Sequence, residues 1–69
     1  MDVVGRTGCH LCDEVEELLR GGGVEVNRLD IDADPELIRL YDFRIPVVLR
    51  EGRVVAEGRI GPEVLAKLG

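Results

Sequence analysis

Two cysteines, Cys9 and Cys12, constrain this chain more than any other feature of its sequence. They are its only cysteines, and they lie three positions apart, after a short apolar segment and before a helical pattern. At this spacing the two sulfur atoms can meet across one helical turn and close a small disulfide. A C-x-x-C pair beside a strand–helix–strand pattern is the usual sequence sign of a thiol–disulfide redox site. Structural disulfides in small domains usually come in several pairs that close larger loops, so a role as a structural cross-link does not explain this pair.

Length and charge limit the function classes that remain. A chain of 69 residues forms one domain at most, and its net charge of −5 argues against binding to nucleic acids or to anionic membranes. The sequence has no run of about 18 apolar residues and no basic-then-apolar leader. We therefore expect a cytoplasmic protein whose thiols are reduced at rest. Nothing in the sequence indicates an obligate interface, so we expect a monomer.

Hydrophobic periodicity predicts the order β-α-β-α-β-β-α. Strands are predicted over 2–6, 24–31, 46–50 and 53–57, and helices over 9–20, 34–41 and from 61 onwards. Asp34 is the predicted N-cap of the second helix, and Glu51-Gly52 is a predicted hairpin turn. A phase slip between Val26 and Leu29 leaves two alternatives open for the second strand, a bulge or burial on both faces. The pattern fits an α/β domain with a mixed four-stranded sheet and helices on both of its faces.

This order, the cysteine pair at the start of the first helix and Ile45-Pro46 before the third strand resemble the thioredoxin fold, and more closely its glutaredoxin branch. The segment G-C-H-L-C-D-E, which begins at Gly8, is similar to a signature of small bacterial glutaredoxin-like proteins. The resemblance covers essentially the whole chain, 1–69, as one domain. It implies a thiol–disulfide oxidoreductase that serves electron transport and cell redox homeostasis.

The resemblance also implies roles for the residues of the C-x-x-C segment. Cys9 would attack the substrate disulfide, because free N–H groups and the helix dipole lower the pKa of a thiol below its ordinary value of about 8.5 at a helix N-terminus. Cys12, one turn into the helix, would be more buried and would resolve the mixed disulfide. His10 would tune the pair, since a protonated imidazole stabilises a neighbouring thiolate. A solvated histidine with little effect is an equally open interpretation.

A second part of the site is implied at Ile45 and Pro46, where the fold carries a cis proline that faces the C-x-x-C and leaves the preceding backbone free for an extended substrate. Gly58 and Arg59 fall where glutaredoxins hold the γ-glutamyl end of glutathione, although the usual acidic pair is missing. Three arginines could meet glutathione carboxylates or could simply be solvated: Arg6, Arg44 and Arg59. Substrates are therefore expected to be protein disulfides, or glutathione as a co-substrate.

Arg28 stands where thioredoxin-like proteins often carry a lysine beneath the resolving cysteine. An arginine cannot lend a proton at neutral pH. We expect it to be a surface residue whose aliphatic part lies along the sheet while its charge reaches water.

Two other classes of function stay open on the sequence. Cys9, Cys12 and His10 could hold zinc, or two chains could share an iron–sulfur cluster, but one C-x-x-C supplies only half of a four-ligand site. The chain could also be a redox-inert binding module with the same fold. We expect neither a metal nor a cofactor other than the redox-active disulfide.

Overall fold

The computed structural model describes residues 1–68. Its strands and helices follow one another in the predicted order. The strands are β1 (Asp2–Gly5), β2 (Asn27–Asp30), β3 (Val47–Arg50) and β4 (Arg53–Glu57), and the helices are α1 (His10–Gly21), α2 (Pro35–Tyr41) and α3 (Val64–Lys67). A 3₁₀ turn, Ile31–Ala33, joins β2 to α2. Gly69, the last residue of the predicted domain, lies outside the described residues.

The four strands form one mixed sheet in the order β2-β1-β3-β4. β1 is parallel to β2 and antiparallel to β3, and β3 forms an antiparallel hairpin with β4. With these directions, the carboxyl ends of β1, β2 and β4 lie at the same edge of the sheet as the start of β3. The predicted mixed four-stranded sheet is confirmed, and this edge receives the segment that carries both cysteines.

Apolar side chains cover both faces of the sheet, because successive residues of a strand point to opposite sides. Val3 belongs to a buried cluster with residues of α1, β3 and α3, whereas Val4 belongs to a cluster on the face covered by α2. The first cluster consists of Val3, Val15, Leu19, Val48 and Val64. The second consists of Val4, Ile31, Val47 and Leu49. Helices therefore pack on both faces, as the pattern predicts.

The second strand is shorter than its hydrophobic pattern indicates. Val24 does not join the sheet, because its N–H donates to the carbonyl of Leu19 and completes the end of α1. Gly23 makes this reversal possible with a φ of +84°, a left-handed conformation that favours glycine. The ladder with β1 begins only at Asn27, whose N–H donates to the carbonyl of Met1.

Two further predictions need correction or refinement. Of the two alternatives for the phase slip between Val26 and Leu29, the bulge is wrong, since β2 pairs with β1 in continuous register. The sheet's irregularity lies instead between β3 and β4, where the register shifts after Val48. The last helix is a single turn, Val64–Lys67, whose N-cap residue Glu63 makes no side-chain capping bond. By contrast, Asp34 caps α2 as predicted, by accepting a hydrogen bond from the N–H of Glu36.

None of the helices within residues 1–68 has the length and apolar character needed to cross a membrane.

Leu19→Ala should destabilise the protein more than any surface truncation. Leu19 is fully buried between α1 and the sheet, and replacing such a leucine by alanine costs about 2–5 kcal/mol. Urea unfolding of the oxidised protein measures the change. Leu40→Ala on α2 is the matched control, because that side chain is 40% exposed and its truncation should leave the free energy of unfolding nearly unchanged. Equal losses in the two variants would contradict the assignment of the core.

Candidate active site

A tight turn delivers Cys9 to the start of α1. The N–H of Cys9 donates to the carbonyl of Arg6 at 3.1 Å, and Gly8 at the third position of this turn has a φ of +83°. Cys9 is the N-cap residue of α1, and its Sγ accepts a hydrogen bond from the N–H of Cys12 at 3.2 Å. The predicted position at the helix N-terminus is therefore confirmed. Here the unpaired N–H groups and the helix dipole favour negative charge on sulfur.

The two cysteines differ sharply in their access to solvent. Cys12 is completely buried, whereas Cys9 is only partly buried. They are joined as a disulfide, with their Cα atoms 5.3 Å apart. The predicted difference in burial is confirmed. An incoming thiol or disulfide reaches the Cys9 sulfur before it can reach the Cys12 sulfur.

Cys12 owes its burial to the absence of a side chain on Gly5. A Cβ atom on Gly5 would lie 2.8 Å from the Cβ and 2.9 Å from the Sγ of Cys12, distances that real Cβ atoms do not adopt. Gly5 is the last residue of β1, so the first turn of α1 rests directly on the backbone of the central strand.

The cis-proline segment lies on the other side of Gly5. The Ile45–Pro46 peptide bond is cis, as the resemblance implies. Val4 is opposite Val47 in the antiparallel ladder of β1 and β3, so Pro46, which directly precedes Val47, lies at the edge of the sheet where β1 ends at Gly5. Pro46 is buried and Ile45 is partly buried. These residues and the disulfide therefore meet at one edge of the sheet.

Gly58 is tied to this segment rather than free at the surface. Its N–H donates to the carbonyl of Pro46 at 2.8 Å and to that of Arg44 at 3.1 Å, with a φ of +72°. Arg59 follows it, and its exposed guanidinium has no ion-pair partner within residues 1–68. The N–H of Gly58 is thus already used, whereas Arg59 remains available for a ligand. A substrate-binding role for either residue stays a prediction.

Arg28 is less exposed than expected for a surface residue. Its side chain is 24% exposed, and its guanidinium makes three hydrogen bonds within the chain. Nη1 donates to Asp13 at 3.1 Å and to Glu16 at 2.8 Å, and Nη2 donates to the carbonyl of Arg6 at 3.1 Å. Its Nε lies 3.0 Å from the position of a Cβ on Gly5, the same point that lies 2.9 Å from the Sγ of Cys12. The guanidinium is therefore beneath the buried cysteine.

The resemblance placed Arg28 beneath the resolving cysteine, but the sequence did not reveal its ion pairs, because the partners of Arg28 come from another element. Arg28 is opposite Val3 in the sheet and so faces α1, where Asp13 and Glu16 are three residues apart on the same helical face. An arginine opposite a fully buried valine is an unusual arrangement that could have indicated these ion pairs. It can be recognised only when the register of β2 on β1 is known.

Two of the arginines considered for glutathione are already paired. Arg6 bonds to Asp32 at 2.9 Å and to Asp42 at 2.8 Å, and these carboxylates, Asp32 first, raise the pKa of Arg6 above its ordinary value. Arg44 pairs with Glu57, which raises the pKa of Arg44. These cations hold the loops around the disulfide in place instead of standing free in solvent.

His10 is the first residue of α1 and is exposed between the cysteines, as predicted. An open cleft of about 340 Å³ lies on the β2 side of the turn that leads to Cys9. Its lining includes Thr7, Gly8, Arg28 and Asp30. In the described part of the chain, no three His, Cys, Asp or Glu side chains come together in an arrangement that could hold a metal ion.

Comparison with known proteins agrees with this geometry. The profile of the glutaredoxin-like domain family (DUF836) matches residues 2–68. The chain belongs to the glutaredoxin-like domain family. Searches of curated proteins and of solved structures gave no match. Family membership and the disulfide-bonded pair in this glutaredoxin-like domain together fit a redox function of the thiols.

Gly5→Ala should destabilise the oxidised glutaredoxin-like domain by about 1–3 kcal/mol, because the added methyl group overpacks the contact with Cys12. Gly21→Ala is the matched control. Nothing lies within 4 Å of a Cβ at that helical position, and alanine there should stabilise α1 by about 0.5–1 kcal/mol. Urea unfolding measures both changes. A Gly5→Ala protein as stable as wild type would show that α1 does not rest on β1 as described.

The ion pairs of Arg28 predict how the stability of this glutaredoxin-like domain depends on pH. Hydrogen bonds from Arg28, and then from Arg20, lower the pKa of Glu16. A carboxyl whose pKa is depressed by folding contributes stability above its unfolded pKa of about 4.3, and this contribution is lost as the pH falls through the folded pKa.

The free energy of unfolding should therefore fall as the pH is lowered from about 5 to 3, and by less in Arg28→Met. Urea titrations of both oxidised proteins at pH 7, 4 and 3 measure the difference. Arg39→Met is the control, because Arg39 pairs with Glu36 on the exposed surface of α2. Parallel curves for wild type and Arg28→Met would contradict the role of Arg28.

Proposed function

We propose that this protein is a small dithiol thiol–disulfide oxidoreductase that cycles between the Cys9–Cys12 disulfide and two thiols. The observation that carries the proposal is the asymmetry of the pair. One sulfur is accessible at a helix N-terminus, and the other is buried within bonding reach of it. A pair with a purely structural role would not need one partly accessible cysteine in a place that favours a thiolate.

The proposed reaction has two exchange steps. The Cys9 thiolate attacks one sulfur of a substrate disulfide, forming a mixed disulfide and releasing the other sulfur as a thiolate, which takes up a proton. Cys12 then loses its proton and attacks the Sγ of Cys9, which forms the Cys9–Cys12 bond and releases the second substrate thiol. The substrate gains two electrons from the protein and two protons, one released by Cys12 and one taken from solvent, which had received the Cys9 proton when the thiolate formed. No cofactor other than this disulfide is involved.

The segment at Ile45 is the proposed binding place for the substrate backbone. Neither the N–H nor the carbonyl of Ile45 makes a hydrogen bond within residues 1–68, although the carbonyls of Arg44 and Pro46 on either side are both bonded to Gly58. An extended chain that passes the disulfide could pair with these free groups, as a strand pairs with a sheet edge. Pro46 would form the floor of this site, and Arg59 could receive a carboxylate.

The proposed substrates are protein disulfides or glutathione, and the proposed setting is the cytoplasm, with the protein as a monomer that serves electron transport and redox homeostasis. His10 is the proposed tuning residue. It is exposed beside Cys9, where the positive charge of a protonated imidazole would favour the thiolate and hence the reduced form.

A redox equilibrium tests the proposal. Wild-type protein, incubated at defined ratios of reduced to oxidised glutathione, is quenched by alkylation and measured by intact mass. The disulfide should form with a midpoint of about −270 to −200 mV, the span from thioredoxin to the glutaredoxins. If both thiols remain free at every ratio, the oxidoreductase proposal fails.

The two cysteine variants separate the proposed roles, and each is the other's control. With oxidised glutathione, Cys12→Ser should accumulate a single glutathione adduct on Cys9, because nothing resolves it. Cys9→Ser should react at least about tenfold more slowly, since the remaining thiol is buried away from the helix N-terminus. Equal rates of adduct formation in the two variants would contradict the assignment of Cys9 as the nucleophile.

A further inference from the structure

Phe43 is the most exposed large apolar side chain in the described part of the molecule. Its ring is 98% exposed, whereas the other exposed large hydrophobic residues lie between 37% and 43%. It is the only phenylalanine of the chain. It lies in the loop between α2 and β3, two residues before Ile45 and three before the cis proline. An aromatic ring is therefore held in water close to the proposed substrate site.

The loop is fixed on both sides of this ring. On one side, Asp42 accepts a hydrogen bond from Arg6 at 2.8 Å, and its N–H donates to the carbonyl of Ile38 at 3.1 Å. On the other side, Arg44 pairs with Glu57. These bonds connect the loop to the segment after β1 and to the end of β4, so the flanks of Phe43 cannot move freely.

The backbone and the ring of Tyr41 hold Arg44 further. The N–H of Arg44 donates to the carbonyl of Tyr41 at 2.8 Å, and its guanidinium lies 5.3 Å from the centre of the Tyr41 ring. Tyr41 and Ile45 both pack against the buried cluster on the α2 face of the sheet, whereas Phe43 belongs to neither cluster. Tyr41 and Ile45 therefore pack against the sheet, whereas Phe43 between them faces solvent.

We propose that Phe43 is a docking anchor for a protein partner that brings a disulfide to Cys9. This inference rests on the proposed function and narrows its substrate class. Aromatic side chains are enriched at the centres of protein interfaces, and an anchor whose flanking backbone is already held before binding loses less conformational entropy when it binds. The partner is a protein that has apolar side chains beside its disulfide.

The charges around the ring favour a protein over glutathione as this partner. Glutathione carries two carboxylates, which are best recognised by unpaired arginines. Next to Phe43, however, Arg6 and Arg44 are neutralised by carboxylates of the chain itself. In the described part of the chain, this leaves Arg59 as one unpaired arginine near the site for two carboxylates. The loop therefore offers an apolar ring within a rim of compensated charges, which resembles the centre and rim of a protein interface. The free backbone of Ile45 extends the same surface towards the disulfide.

The test compares a protein disulfide with a small one. Reduced protein is mixed with insulin or with hydroxyethyl disulfide, and alkylation at timed intervals gives the second-order rate constant of each reaction. Phe43→Ala should lower the rate constant with insulin by about 5–30-fold, the range expected for an interface anchor that contributes about 1–2 kcal/mol. The rate constant with hydroxyethyl disulfide should stay within about twofold, because this molecule is too small to reach the ring.

Two other variants complete the design. Phe43→Leu should recover part of the rate with insulin, since it restores apolar contact area. Val54→Ala is the matched control, because Val54 is also exposed, at 43%, but lies near the hairpin turn at the opposite end of β4. It should change neither rate. Phe43→Ala should keep the unfolding midpoint of wild type, since its side chain buries almost no surface.

Three outcomes would overturn the docking proposal. Phe43→Ala could react with insulin as fast as wild type does, or both rate constants could fall together, which would indicate a structural role. Sedimentation could also show that wild type dimerises and Phe43→Ala does not, which would assign the surface to a second copy of the chain. A wild type that reduces neither disulfide would instead remove the proposed function, and the docking proposal with it.

Discussion

The first turn of α1 rests directly on the backbone of β1 at Gly5, and the rest of the site depends on this contact. Because Gly5 has no side chain, Cys12 can lie flat against the central strand and be excluded from water. Its burial leaves Cys9, one turn earlier, at the open end of the helix, where it caps the helix through its sulfur. The missing methyl group at Gly5 thus permits the burial of Cys12, while Cys9 stays partly accessible at the helix end.

The same contact explains how an arginine is held beneath the helix. Arg28 projects from the neighbouring strand into the space beside Gly5, where Asp13 and Glu16 of α1 compensate its charge. The carbonyl of Arg6 accepts hydrogen bonds both from Arg28 and from the N–H of Cys9. Surface ion pairs contribute little stability one by one. The main effect of the Arg28 bonds is to hold the helix, the turn before it and the adjacent strand together at one place.

Features set by local sequence could be predicted, and those set by the tertiary contacts could not. The C-x-x-C pair, the cap of α2 by Asp34 and the hairpin turn at Glu51 depend on neighbours within about four residues, and the sequence displays them directly. Arg28 finds its carboxylates 12 and 15 residues away. Its contacts with these carboxylates depend on the register of β2 on β1. Hydrophobic periodicity does not determine this register, because it places the start of the strand at Val24 rather than at Asn27.

The exposure of Phe43 is a second feature that local sequence does not predict. Tyr41, Phe43 and Ile45 alternate with charged residues. This pattern alone would suggest that the three apolar side chains share one buried face. The structure buries the outer two partially against the sheet and leaves Phe43 in water, because the intervening residues, Asp42 and Arg44, are held by ion pairs on either side. In a chain this short, the apolar core cannot extend far enough to fix the loop beside the disulfide. Charged side chains fix it instead, and the apolar ring of Phe43 is left facing solvent.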